Sequence, residues 1–270
     1  MSNLLQAEFM KLRRNKIFIS LAGLAIIGAV SYIILLYLAS RNVIYIDFSN
    51  GLTILKPQPG QNISITGIEA FTQTAMNNPQ TLLFVLSIFA GFFISNDYGS
   101  GAFKNAIING NSRISIYVAK LIAYITGIYI FMTLFTLIST VGASAILGIG
   151  ETANGDIVFY MIRSYSLYLL QLGSFAAIIA MLAFFVEESG KSITLCIVTF
   201  IGVLAILDLS SRYIPFIEKL FPYTFFYQLF IVFNETMSAW DIGKAFIAGM
   251  SGILFTLLIG LHFFTRKELK

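Results

Sequence analysis

Residues 90–120 read AGFFISNDYGSGAFKNAIINGNSRISIYVAK, and the fold turns on how this stretch is read. A continuous apolar run ends at Ile94, a polar segment carries Asp97, Lys104, Asn105, Asn111 and Arg113, and the chain becomes apolar again after Lys120. Water interrupts a membrane here. Inside the polar segment, Ala102, Phe103, Ala106 and Ile107 have the spacing of a short amphipathic helix, predicted over residues 99–109. Gly99 and Gly101 are expected to supply turn geometry at its start, because a positive φ is costly for any residue with a Cβ. Gly110 closes the helix, and Asn111-Ser112 are placed to cap the next one. Asp97 and Arg113 would fix the two ends through charge-assisted hydrogen bonds. Phe103, Ala106 and Ile107 would face either a partner's groove or the membrane bundle.

Composition supports the membrane reading. The 270 residues are 57% hydrophobic and 11% charged, with a mean hydropathy of +0.84, too apolar for a soluble domain. A formal charge of +4 could suggest nucleic acid, but the basic residues flank apolar runs and form no aromatic-laced basic face. They read as topology signals. The single cysteine, Cys196, lies in an apolar run, which predicts a buried free thiol.

The expected architecture is all-α with six transmembrane helices in a single domain over residues 1–270. Residues 1–16 form an interfacial helix, with Leu4, Leu5, Phe9 and Leu12 roughly on one face and Glu8, Lys11, Arg13, Arg14 and Lys16 making a mostly basic remainder. The spans are placed at about 17–39, 79–94, 121–141, 157–186, 192–209 and 242–264. The first is longer than the hydrophobic core of a cleaved signal peptide, and at about 1.5 Å per residue it would cross a hydrocarbon layer of roughly 30 Å. Residues 40–78 form an outer loop, with strand-like pieces at Val43–Ile46 and Ile63–Ile65 around a Pro57, Pro59-Gly60 turn. Residues 95–120 are the polar segment already described, 114–120 being the lead-in to span three. Residues 142–156 break the pattern with glycine and acid. Residues 210–241, aromatic and punctuated by Pro215 and Pro222, are too short in either half to span and read as a re-entrant helical pair at the outer interface.

Orientation follows from the basic residues. With a cytoplasmic N-terminus the inner segments hold Lys11, Arg13, Arg14, Lys16, Lys104, Arg113, Lys120, Lys191, Arg266, Lys267 and Lys270, and the outer ones hold Arg41, Lys56, Arg163, Arg212, Lys219 and Lys244. Eleven against six puts both termini in the cytoplasm.

Motifs for chemistry are weak. Gly190-Lys191-Ser192 looks like the end of a phosphate-binding loop, but its first glycine would fall at Phe185. His262 is the one histidine, which argues against a metal site or a catalytic triad. Gln171 reads as an interhelical hydrogen bond, and Ala245, Ala248, Gly249 and Gly252 as a tight helix contact on the last span.

The order of an acidic residue at 97, Tyr98-Gly99-Ser100-Gly101, an amphipathic helix, Ser112-Arg113, Ala119-Lys120 and a long apolar span resembles the cytoplasmic coupling segment of ATP-binding cassette type-2 permeases. Many of those carry Glu at the acidic position and Pro in the turn before Ser-Arg, where this chain has Asp97 and Asn109-Gly110-Asn111. The resemblance implies a permease subunit of an ATP-driven exporter in a bacterial cell membrane, itself neither an enzyme nor a cofactor binder. Cytosolic ATPase subunits would couple through Asp97, Gly99, Gly101, Phe103, Lys104, Ala106, Ile107 and Arg113. A second permease, the same or a sister chain, would complete the pathway, with membrane lipids and no nucleic acid among its partners. Abundant Phe and Tyr and scarce central charge favour an amphipathic substrate. An antimicrobial or toxic peptide, as in immunity systems, is the first expectation and a drug or lipid the second. A secondary transporter would show intramembrane charge pairs or an internal repeat, and neither is evident.

Overall fold

Asn15 separates the first two helices by what its side chain does. Its Oδ1 accepts from the backbone N–H groups of Ile17 and Phe18 at 2.9 and 3.1 Å, which ends α1 (Ser2–Arg14) and starts α2 (Lys16–Ser40). The structure is a computed structural model that describes residues 2–47, 53–55, 65–76, 79–152, 155–213 and 215–267. After α2, β1 (Tyr45–Asp47) pairs antiparallel with β2 (Thr53–Leu55), Ile46 opposite Ile54. The Pro/Gly turn predicted at 57–60 and most of the second predicted strand fall outside the described residues. The helices that follow are α3 (Gly67–Met76), α4 (Pro79–Ala90), α5 (Asn96–Gly99), α6 (Ala102–Ile108), α7 (Arg113–Leu147), α8 (Ile157–Phe185), α9 (Ser189–Tyr213), α10 (Pro215–Leu220), α11 (Phe225–Ile231) and α12 (Ala239–Arg266). A π-helical turn at Gly91–Ser95 joins α4 to α5, and a 3₁₀ turn at Phe221–Tyr223 joins α10 to α11.

Among the described residues, five helical stretches are long and apolar enough to cross a membrane: Lys16–Ser40, Leu82–Gly99, Arg113–Leu147, Ile157–Phe185 and Ala239–Arg266. The predicted fifth span lies within α9, whose described apolar part, Ser189–Val203, is shorter. Several expectations are corrected. Span three and its lead-in are one 35-residue helix, because Ser112 caps it and nothing before Gly148 stops it; Gly142 is interior, packed against Ile33 of α2. The stretch predicted as an outer loop contains α3, a helix the apolar periodicity concealed. Its signal was a capping box: Glu69 N–H donates to Thr66 Oγ1 and Thr66 N–H to Glu69 Oε2. Its buried face, Ile68, Ala70 and Phe71, then packs inward.

α8 is the central post. Gln171 Nε2 donates to the Ala245 carbonyl at 2.6 Å, and Ser174 Oγ donates to the Gly249 carbonyl. A Cβ on Gly249 would meet Leu170 Cγ at 2.6 Å, and one on Gly252 would meet Ser174 Cβ at 2.9 Å. The small residues of the last span thus let α12 lie against α8 closely enough for side chains to reach backbone carbonyls. Replacing Gly249 by Val should lower the thermal midpoint of the detergent-solubilised protein, at about 1–3 kcal/mol of overpacking. Gly243→Ala is the control, since a Cβ there meets open space and the midpoint should hold or rise. Equal midpoints in the two variants would show that this contact is not tight.

Candidate functional site

The polar stretch folds as two short helices instead of one. Gly101, at φ 68°, makes the left-handed corner between α5 and α6. Gly99 is the last residue of α5 and takes no positive φ, so its expected turn role is corrected: one left-handed residue suffices. At the far end Gly110 (φ 83°) donates its N–H to the Ile107 carbonyl, and Asn111 donates its N–H to Ala106. These are the paired bonds of a Schellman cap. Asn111 Nδ2 also donates to the Ala106 carbonyl at 3.0 Å, and Ser112 Oγ caps α7. Together these features hold α6 across the ends of α5 and α7.

α6 has two unlike faces. Phe103 is 3% exposed, caged by Tyr98, Phe184 and Phe264 at ring-centre distances of 4.7, 6.0 and 5.6 Å. Ala106 and Ile107 are half-buried against the same core. Lys104 and Asn105 are exposed, and Ile108 is 71% exposed. Of the two alternatives open for Phe103, the structure realises the bundle. Asn105 and Ile108, exposed beside Lys104, were not singled out from the sequence because they fall off the apolar stripe by which periodicity is read.

Helix ends of the bundle converge on this segment. Ser95 Oγ donates to the Ala183 carbonyl at 2.9 Å and Tyr98 Oη to Phe184 at 2.7 Å. Lys267 Nζ reaches the Phe184 and Phe185 carbonyls at 3.2 and 3.1 Å. The last carbonyls of α8 are therefore satisfied by side chains from α5, the π-helical turn and the end of α12. Arg113 treats α12 in the same way, its Nη1 donating to the Thr265 and Lys267 carbonyls at 2.9 and 2.6 Å.

Asp97 lies in a four-membered ion cluster. Its Oδ2 is 2.7 Å from Lys120 Nζ and 3.3 Å from Lys11 Nζ, while Glu8 lies 2.9 Å from Lys120 and 2.8 Å from Lys11. Lys120 is 1% exposed, and its ammonium also sits 4.0 Å from the centre of the Phe93 ring. Burial opposes the charge of Lys11, but Asp97 and Glu8 outweigh it and raise its pKa. Glu8, expected on the polar face of an interfacial helix, is instead buried, because α1 packs along α7 and brings Glu8 to Lys120.

Over residues 4–206 the sequence matches the family described as ABC-2 family transporter protein. The chain belongs to the ABC-2 transporter family. No individual curated protein matches it. This ABC-2 permease is accordingly a multi-pass membrane transport component, and membership implies association with ABC ATPase subunits. Elsewhere in the permease, Gln171 is the interhelical hydrogen bond expected of it, and Cys196 is a buried free thiol. Arg163 donates to the Asn234 carbonyl at 2.6 Å, tying α8 to the connector before α12.

Removing Lys120 leaves the buried Glu8 and the partly buried Asp97 sharing Lys11. Lys120→Met should cost about 3–5 kcal/mol, as the breaking of a buried pair does, and speed tryptic cleavage at the already exposed Arg13-Arg14 by loosening α1. Lys120→Met with Asp97→Asn should recover part of the loss. If the double variant is no more stable than the single one, the charges are not coupled as described.

Proposed function

We propose that this chain is one permease subunit of an ATP-driven exporter in a bacterial cell membrane, working with a second permease, the same or a sister chain, and with separate cytosolic ATPases. α9, 25 residues long, is taken as the remaining membrane crossing. That gives six spans with both termini cytoplasmic, the α10–α11 pair dipping into the outer leaflet. In support, Lys11, Lys104, Arg113, Lys120 and Lys191 belong to the end of the bundle that carries α6, as the positive-inside rule requires of a cytoplasmic face. Crossing number and termini are linked, since an odd count would put the termini on opposite sides. Single cysteines at Asn3 and Lys270, in a Cys196→Ser background, should both react with an impermeant maleimide only from the cytoplasmic side. Labelling from opposite sides would remove the six-span reading.

The observation that carries the coupling role is the split character of α6, with Phe103 locked in the aromatic cage and Ile108 turned out between polar neighbours. A partner gripping Ile108, Lys104 and Asn105 would move α6, and α6 could not move without displacing Phe184 and Phe264, and with them α8 and α12. Asp97, Gly101, Phe103, Ala106, Ile107 and Arg113 would then transmit the motion, and Lys104 would contact the partner. The substrate we favour is an amphipathic peptide of the antimicrobial or toxic kind, with a drug or lipid as the second reading. A cavity of about 310 Å³ supports this class. Its walls are apolar, Leu137, Val141 and Met161 among them, and it includes Thr140, whose buried hydroxyl lacks a hydrogen-bond partner among the described residues.

Ile108→Asp should leave the thermal midpoint unchanged while abolishing co-purification with the ATPase or its stimulation by substrate. Phe103→Asp should instead destabilise the protein by at least about 3 kcal/mol, the scale of removing a buried aromatic. Normal assembly and transport by the Ile108 variant would sink the docking face.

A further inference from the structure

A second cavity, about 460 Å³, opens between α1, the Asn15 cap of α2, the π-helical turn, α5 and α7, and Met10, Lys11, Arg14, Asn15, Phe92 and Asn96 contribute to its wall. Its volume is in the range of small-molecule sites. The ion cluster forms one side, where Lys11 and Lys120 are matched by Asp97 and by Glu8 behind it. Arg14 is outside that balance. It lines the cavity, is exposed, and has no ion-pair or hydrogen-bond partner among the described residues. Asn15 has committed Oδ1 to capping α2, which leaves its Nδ2 as a donor, and Asn96 beside it is exposed. The cavity thus carries one uncompensated positive charge and two amide donors.

Its other wall is apolar where an apolar wall in water would be unfavourable. Met10 is 58% and Phe92 41% exposed, and the cavity sits at the foot of α2, whose Ile19 and Leu24 also face outward. A guanidinium fork suits a phosphate monoanion, and Met10 and Phe92 suit hydrocarbon. We infer that this cavity is a binding site for an anionic phospholipid, its phosphate on Arg14 and the two asparagine amides and an acyl chain leaving past Met10 and Phe92 into the bilayer. The bound lipid lies beside Lys11 and Asp97, so it would brace α1 against the segment that carries α6. A soluble phosphate would use the same cations but leave Met10 and Phe92 uncovered. Anionic lipids are also concentrated where juxtamembrane cations such as Arg13 and Lys16 collect.

The test is native mass spectrometry of the detergent-purified full chain titrated with phosphatidylglycerol or phosphatidylcholine, which requires no ATPase and no transport substrate. Phosphatidylglycerol should be retained at least about fivefold better. Arg14→Gln should weaken it about tenfold, the scale of one charge-assisted hydrogen bond, and bring the two lipids level without lowering the thermal midpoint. Phe92→Ser should weaken both lipids and keep the preference. Equal retention of the two lipids by the unmodified chain, or an unchanged preference in Arg14→Gln, would overturn the site. Glycerol 3-phosphate binding as tightly as phosphatidylglycerol would overturn the lipid as occupant.

Discussion

A helix that ends at a membrane face leaves carbonyls without partners, and in this permease those carbonyls decide how one end of the bundle is built. The last turn of α8 offers Ala183, Phe184 and Phe185, and the end of α12 with its cap residue offers Thr265 and Lys267. The donors that meet them come from elsewhere in the chain: Ser95, Tyr98, Lys267 and Arg113. Each is part of, or adjoins, the segment between the second and third crossing helices or the chain just after α12. The same bonds that satisfy α8 and α12 therefore bolt α5 and α6 to them.

Aromatic packing completes the joint. Tyr117 and Phe184 have ring centres 4.4 Å apart, Phe184 and Phe264 5.3 Å, and Phe103 enters this group from α6. Large rigid rings transmit displacement because a close-packed interior has few alternative arrangements. The ion cluster does for α1 what the rings do for α6. Buried pairs give little net stability against an apolar replacement, so the role of Glu8 and Lys120 is better seen as placement: they define how α1 lies along α7. Through Lys11, α1 is thereby tied to Asp97 of the segment carrying α6.

The two cavities differ in the way the proposed pathway requires. One, at the α6 end, joins a free cation to exposed hydrocarbon and is suited to a lipid that stays. The other, among α3, α7 and α8, is apolar with an unpaired hydroxyl, suited to a passing molecule that brings both kinds of surface.

Much of this protein was legible in its residues. Apolar runs of membrane length declared the crossing helices, the small residues at 245, 248, 249 and 252 declared a close helix contact, and Gly110 with Asn111-Ser112 declared a helix end and a new beginning. These are local signals, set by periodicity and by backbone geometry that few residues tolerate. The short helix α6 was legible for the same reason, as was the involvement of Asp97 and Arg113 in charge-assisted bonds. Their partners were not, because Lys120 is 23 residues from Asp97 and Thr265 is 152 residues from Arg113. Spacing carries no information about which distant side chain will fill a vacancy. Periodicity put Phe103 on the apolar stripe and left Ile108 off it, but it could not say whether that stripe meets the bundle or a partner; the ring cage around Phe103 decides that. Glu8 shows the limit most plainly. By composition it belonged to a polar face, and only the approach of α7, bringing a lysine that itself needed a carboxylate, made burial its lower-energy state.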